Sequence, residues 1–188
     1  MVKPCVLIFA WLLLFFPVQP CYSESSSTDF IGVADFQVKA AYLYKFISYI
    51  EWPPNTFPNA DSPLTIGIRG ADTMANELSK IVATHSINGR PVIVRKLASA
   101  DTLAGINILF VGIEHRETYA EIMASAKGLP ILTVTESEDA LSRGSMINFL
   151  MIDGRVRFEA APKAAKQCNL TISARLLGAA YRIVGEAS

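Results

Sequence analysis

The stretch LTIGIRGADTMANELSKIVA, residues 64–83, followed by PVIVRKL, residues 91–97, decides the fold class. Leu64 to Arg69 is a short run rich in β-branched residues and reads as a strand. Gly70 breaks it, and Asp72, a good capping residue, opens a helix that runs to about Ala83. Asn88-Gly89 marks a turn, and residues 91–97 supply a second core strand. A strand, a helix and a strand in that order form a βαβ unit, the building block of a parallel sheet.

Toward the C-terminus the alternation continues. After a short turn at 100–104, the unbroken apolar run INILFV (106–111) has the composition of a central strand covered on both faces. A helix is expected over Glu114 to Ala126, a buried strand over Pro130 to Val134 (PILTV) and a short helix over Glu138 to Arg143. Met146 to Ile152 and Val156 to Glu159 flank Asp153-Gly154, the strongest hairpin signal in the chain. Pro162 opens a helix to about Cys168, Leu170 to Ile172 is extended, and a last helix is expected over Ser173 to Val184. Toward the N-terminus, Phe36, Ala40, Leu43, Ile47 and Ile50 recur at three- and four-residue steps, which predicts a helix over Asp35 to Trp52. Pro53-Pro54 ends it. The expected fold is therefore α/β: a single three-layer domain over 35–188, its sheet mixed but mostly parallel, with helices on both faces and a C-terminal β-hairpin.

The first residues have a different character. Lys3, the apolar run Cys5 to Phe16 and the breaker Pro17 follow the order of a secretory signal, and the run is shorter than the roughly 20 residues a membrane span needs. Cleavage after Ser23 gives a signal peptide at 1–23 and a flexible, Ser-rich leader at 24–34, placing the protein in the periplasm. Cys21 raises the alternative of a lipid anchor, against which Gln19 and Pro20 stand where small residues are wanted. Of three cysteines, only Cys168 then remains, so no intramolecular disulfide holds the domain. It is expected to be a buried small residue or a free thiol.

Seventeen Lys+Arg balance seventeen Asp+Glu, which leaves no basic stripe for nucleic acid. Only His85 and His115 are present, and no serine-hydrolase elbow, paired-cysteine motif, His-Glu-x-x-His or phosphate loop occurs. No catalytic residue, metal site or cofactor is expected. Two surfaces remain as candidates. Arg69 ends a strand at the carboxyl edge of the sheet, where open α/β sheets bind ligands. Glu114, Arg116 and Glu136 are expected at the same edge, with Arg175 pairing a carboxylate such as Glu159. Together they suggest a weak small-molecule effector site. Tyr44, Tyr49 and Trp52 cannot all share the apolar stripe of the first helix, so some ring is expected at the surface as a partner anchor.

Several segments together resemble one family. KAAYLYKFISYIEWPP (39–54), NGRPVIVR (88–95), ILFVG (108–112), LPILTVTE (129–136), MINFLMIDGRVRFE (146–159) and NLTISARLLGAA (169–180) follow in the order found in the YfiR-like periplasmic regulators of bacteria. The resemblance implies a non-enzymatic protein, likewise without cofactor. Its implied role is to bind and repress the periplasmic sensor region of an inner-membrane diguanylate cyclase, lowering cyclic di-GMP and biofilm formation, with a homodimer as the implied assembly. Two features depart from the pattern: Ala160-Ala161 follow Glu159, and the paired cysteines of the best-known member are missing. The second departure puts redox control in doubt. Two other readings compete, a small-molecule-binding sensory module for another membrane signalling protein and a hydrolase with an unrecognised site.

Overall fold

In the computed structural model, residues 27–112 and 119–185 are described. The signal-peptide and lipid-anchor readings, together with Glu114, His115 and Arg116, lie outside those residues.

Helix α1 (Ser27–Phe46) leads through a 3-10 turn, Ile47–Tyr49, into the two-residue strand β1 (Ile50–Glu51). The βαβ unit follows as β2 (Leu64–Arg69), α2 (Asp72–Val82) and β3 (Val92–Lys96), with both strands parallel. Next come β4 (Ile108–Val111), α3 (Tyr119–Ala126), β5 (Leu132–Thr135) and the hairpin β6 (Ile147–Ile152) to β7 (Arg155–Ala160). Asp153 and Gly154 both have positive φ, 50° and 67°. That is the mirror-image turn that matches strand twist in a two-residue hairpin. The chain ends with α4 (Pro162–Gln167), β8 (Thr171–Ile172), α5 (Ala174–Ala179) and β9 (Arg182–Ile183).

Seven strands form one sheet in the order β3-β2-β4-β5-β6-β7-β9, and β1 pairs with β8 in a separate two-stranded sheet. All neighbours from β3 to β6 are parallel, β6 and β7 are antiparallel, and β7 and β9 are parallel. Because side chains alternate across a strand, each strand feeds both faces. Ile66, Ile68, Ile108, Phe110, Leu132 and Val134 join Leu43 and Phe46 of α1 and Met74 and Leu78 of α2 in one core. Leu109 and Val111 join Tyr119, Ile122 and Met123 of α3 in another. The expected three-layer α/β architecture is the one observed.

The chain runs from β2 through α2 to β3 on one side and then returns to β4 on the other, so the topology switches between β2 and β4. There Gly112 N–H donates to the Arg69 carbonyl at 2.8 Å. A Cβ at Gly112 would collide with the backbone of Gly70, so only glycine lets the two strand ends come this close.

Several boundaries differ from the sequence expectation. The first helix starts at Ser27, so residues 27–34, read as flexible leader, are helical, and it stops at Phe46 rather than Trp52. Beyond Phe46 the backbone is drawn off by pairing, with Ile50 opposite Ile172 and Ser173 N–H on the Tyr49 carbonyl at 2.9 Å. Ala71, not Asp72, caps α2, and Asp72 lies inside the first turn. Residues 138–143 form consecutive turns instead of a helix. The last helix ends at Ala179, after which Tyr181 and Val184 donate to the carbonyls of Phe158 and Ala160, each at 2.8 Å, and add β9 to the sheet. In both truncated helices, hydrogen bonds to a distant strand override local helix periodicity.

Candidate functional site

Several buried polar residues of the sheet, Arg69, Thr135, Asn148 and Glu159, lie along one register line. Arg69 stands opposite Val111, Val111 opposite Thr135, Thr135 opposite Asn148, Asn148 opposite Glu159 and Glu159 opposite Arg182. This row crosses six strands on the α3 face. Thr135 Oγ1 donates to Asn148 Oδ1 at 2.8 Å, and Asn148 Nδ2 donates to Glu159 Oε1 at 3.1 Å. Arg182 Nε donates to Glu159 Oε2 at 2.9 Å, and its terminal nitrogen bonds the same oxygen. Glu159 is only 4% exposed, and these bonds compensate its desolvation. The expected pairing of Glu159 with Arg175 is corrected: Arg182, brought in by β9, takes that place.

At the end of α3, Tyr119 covers the row. Burial pushes its phenol pKa up, and Thr135, Ser145 and Arg143 partly offset the shift. Its hydroxyl makes no hydrogen bond of normal geometry.

Arg69, at the other end of the row, is 5% exposed. One terminal nitrogen donates to the Asp101 carbonyl at 3.1 Å, while its buried Nε has no partner. The Asp101 carboxylate is turned to the Ala98 N–H at 2.8 Å, and among the described residues Arg69 makes no ion pair. A cavity of about 540 Å³ opens beside it, walled by Leu103, Ile122 and Leu129, with Glu121 and Ser125 of α3 also lining it.

On the opposite side of the sheet lies a smaller cleft of about 160 Å³ between α1 and α5. Tyr42, Phe46, Tyr49, Phe158 and Leu176 form its apolar walls, with Lys45 and Arg175 beside them. Neither cation makes an ion pair among the described residues.

The residues expected at one effector site are therefore separated. Arg69 lines the large cavity, and Arg175 lines the aromatic cleft. Glu136 is held by Lys39 of α1 at 2.6 Å with both side chains largely buried, and Glu114 and Arg116 lie outside the described residues. The three aromatic anchors also separate, and none is fully exposed. The Tyr44 hydroxyl donates to the Ser86 carbonyl at 3.3 Å, and its ring meets His85 edge-on. Trp52 packs edge-on against Phe57. Only Tyr49 reaches the cleft that also holds Arg175. Local patterns in the sequence do not announce the hydrogen-bonded row, although a signal for its centre exists. A two-residue turn at 153–154 forces Ile152 opposite Arg155, and counting back puts Asn148 opposite Glu159.

Among the described residues no cluster of His, Cys, Asp or Glu is arranged to hold a metal ion. No helix among them is long and apolar enough to cross a membrane. The arrangement defines a class: a three-layer α/β domain with clefts on both faces of its sheet. The chain belongs to the YfiR/HmsC-like family, whose match spans residues 36–181. That family is one of periplasmic regulators in membrane diguanylate cyclase signalling. A solved structure similar to this chain is a conserved domain protein from Vibrio cholerae O1 biovar El Tor, with TM-score 0.54 and 11% identity over 79% of this chain. The match spans 60% of that protein, so the likeness is one of fold. No curated protein sequence matches the chain.

Proposed function

We propose that this protein is exported to the periplasm and there binds the periplasmic sensor region of an inner-membrane diguanylate cyclase, holding the cyclase inactive. Family membership supports the class of role. The observation that carries the contact is the cleft between α1 and α5, where aromatic walls lie beside two cations, Lys45 and Arg175, with no ion-pair partner among the described residues. Such a cleft suits an aromatic or aliphatic side chain flanked by carboxylates on the partner, because aromatic and arginine side chains in desolvated pockets dominate interface energies. The homodimer implied by the resemblance belongs to the same proposal, and sedimentation of the purified protein measures it.

The test is capture from detergent-solubilised inner membranes with the exported protein as bait, followed by identification of what is retained. A membrane protein carrying a periplasmic sensor and a cytoplasmic cyclase domain is expected. Arg175→Glu and Tyr49→Ala should each weaken its retention by about tenfold or more, with circular dichroism unchanged. Failure to retain any cyclase, or retention unaffected by Arg175→Glu, would overturn the proposal.

A further inference from the structure

We propose that the cavity beside Arg69 is a binding site for a small organic monocarboxylate with an apolar body. The site is independent of the partner-binding cleft and lies on the other face of the sheet.

The argument starts from the arginine. A guanidinium is always charged and carries five donors. Burying one without a counter-ion is costly, so buried charges are ordinarily paired. Arg69 is 5% exposed, its Nε has no partner, and a single backbone carbonyl answers its terminal nitrogens. Asp101, whose backbone carbonyl meets Arg69, spends its carboxylate on the Ala98 N–H instead. Among the described residues the fold thus holds this cation next to an open space with no carboxylate on it.

The space has a suitable size and place. At about 540 Å³ it falls within the roughly 300–1,000 Å³ usual for small-molecule sites. Arg69 ends β2 beside the point where the topology switches toward β4, and from there the cavity extends over the α3 face between the 99–104 loop and α3. The walls then set the chemistry. A carboxylate presents two oxygens to the guanidinium fork, and Leu103, Ile122 and Leu129 offer an apolar wall to the rest of the molecule. Glu121 supplies a negative charge to the same cavity, which disfavours a dianion or a phosphate monoester and leaves room for one carboxylate.

Calorimetric titration of the purified exported protein with hexanoate and benzoate, each against its neutral amide, tests the site. Both acids should bind saturably and at least about tenfold more tightly than hexanamide and benzamide, the difference expected of a charge-assisted bidentate contact. Arg69→Met should erase the preference for the acid. Because that change removes a buried group and can disturb folding, Ser125→Trp provides a second arm: Ser125 is exposed at the cavity wall, and the indole should fill the space and abolish binding with circular dichroism unchanged. Equal binding of acid and amide, undiminished binding in Ser125→Trp, or absence of saturable binding by either acid would each overturn the proposal. No cyclase is present in this titration, so its outcome is separate from that of the capture experiment.

Discussion

The two faces of the sheet differ in how they are filled. On the face covered by α1 and α2, rings interlock: Phe46 meets Phe158 edge-on at 5.2 Å and stacks on Phe149 at 5.9 Å, while Phe149 reaches Phe110 at 6.2 Å. On the face covered by α3, the apolar core is narrower and lies beside buried Thr135, Asn148, Glu159 and Arg69. Apolar packing is non-directional and tolerates rearrangement, whereas a buried polar row requires each member to find its partner. The first face therefore carries most of the stability. The second fixes geometry, and where its row runs out, at Arg69, a charge is left facing a cavity.

The largest expected effect breaks the aromatic face. Phe46→Ala removes a fully buried ring that packs on Phe149 of β6 and Phe158 of β7, and should cost about 3–5 kcal/mol in chemical denaturation, the range for such truncations. A loss below about 1 kcal/mol would mean that the face is not close-packed. The next effect breaks the polar face. Arg182→Ala strands the buried Glu159 carboxylate with only Asn148 as donor, and should cost about 1–3 kcal/mol, the low end for a broken buried pair because Arg182 itself is largely exposed. Replacing Glu159 and Arg182 together with leucine should cost less than Arg182→Ala alone, because no orphan charge remains. If the double variant is the less stable, the row contributes packing rather than charge compensation.

The apolar face was also the legible one. Largely apolar runs at 64–68, 106–111 and 130–134 announce buried parallel strands, and Asp153-Gly154 announces the hairpin, because these signals are local. What failed was decided by residues far apart. Ile47 and Ile50 fit the stripe of the first helix, yet Ile50 pairs with Ile172. Val184 fits the last helix, yet its N–H goes to Ala160. The same holds for the sites. Arg69 could be placed at a strand end from the sequence, but its missing counter-ion could not, since that depends on where Asp101 turns. Glu136 looked free at the carboxyl edge, yet it meets Lys39, ninety-seven residues away in sequence.

A smaller effect separates the two helix starts. Ser173 caps α5, accepting from the Leu176 N–H at 3.3 Å, so Ser173→Ala should cost about 1 kcal/mol. Asp72 makes no capping bond, and its contact with Lys96, at 3.4 Å, joins two well-exposed side chains. Asp72→Ala should therefore change stability by about 0.5 kcal/mol or less, from the helix dipole and a solvated pair. Thermal melts of the two variants side by side decide whether the sequence expectation for Asp72 or the observed geometry is right.

The smallest effect sharpens the comparison at the point where the two kinds of core meet. Tyr119 is 2% exposed and stands over the polar row with a hydroxyl that makes no normal hydrogen bond. Removing a buried hydroxyl that makes no hydrogen bond of normal geometry relieves its desolvation and loses only weak contacts with Thr135 and Ser145, so Tyr119→Phe should be within about 1 kcal/mol of neutral at pH 7. The effect should grow in alkali. Burial raises the folded-state pKa above the ordinary value of 10.0, so below that value the phenol is neutral in both states and contributes no pH dependence. As pH rises past it, the unfolded chain loses the proton while the folded chain keeps it, and stability falls. The wild type should lose stability above about pH 10 by an increment that Tyr119→Phe lacks. Parallel denaturation curves for the two proteins at every alkaline pH would show instead that the hydroxyl ionises as freely in the fold as outside it, and that the row near Thr135 is open to water.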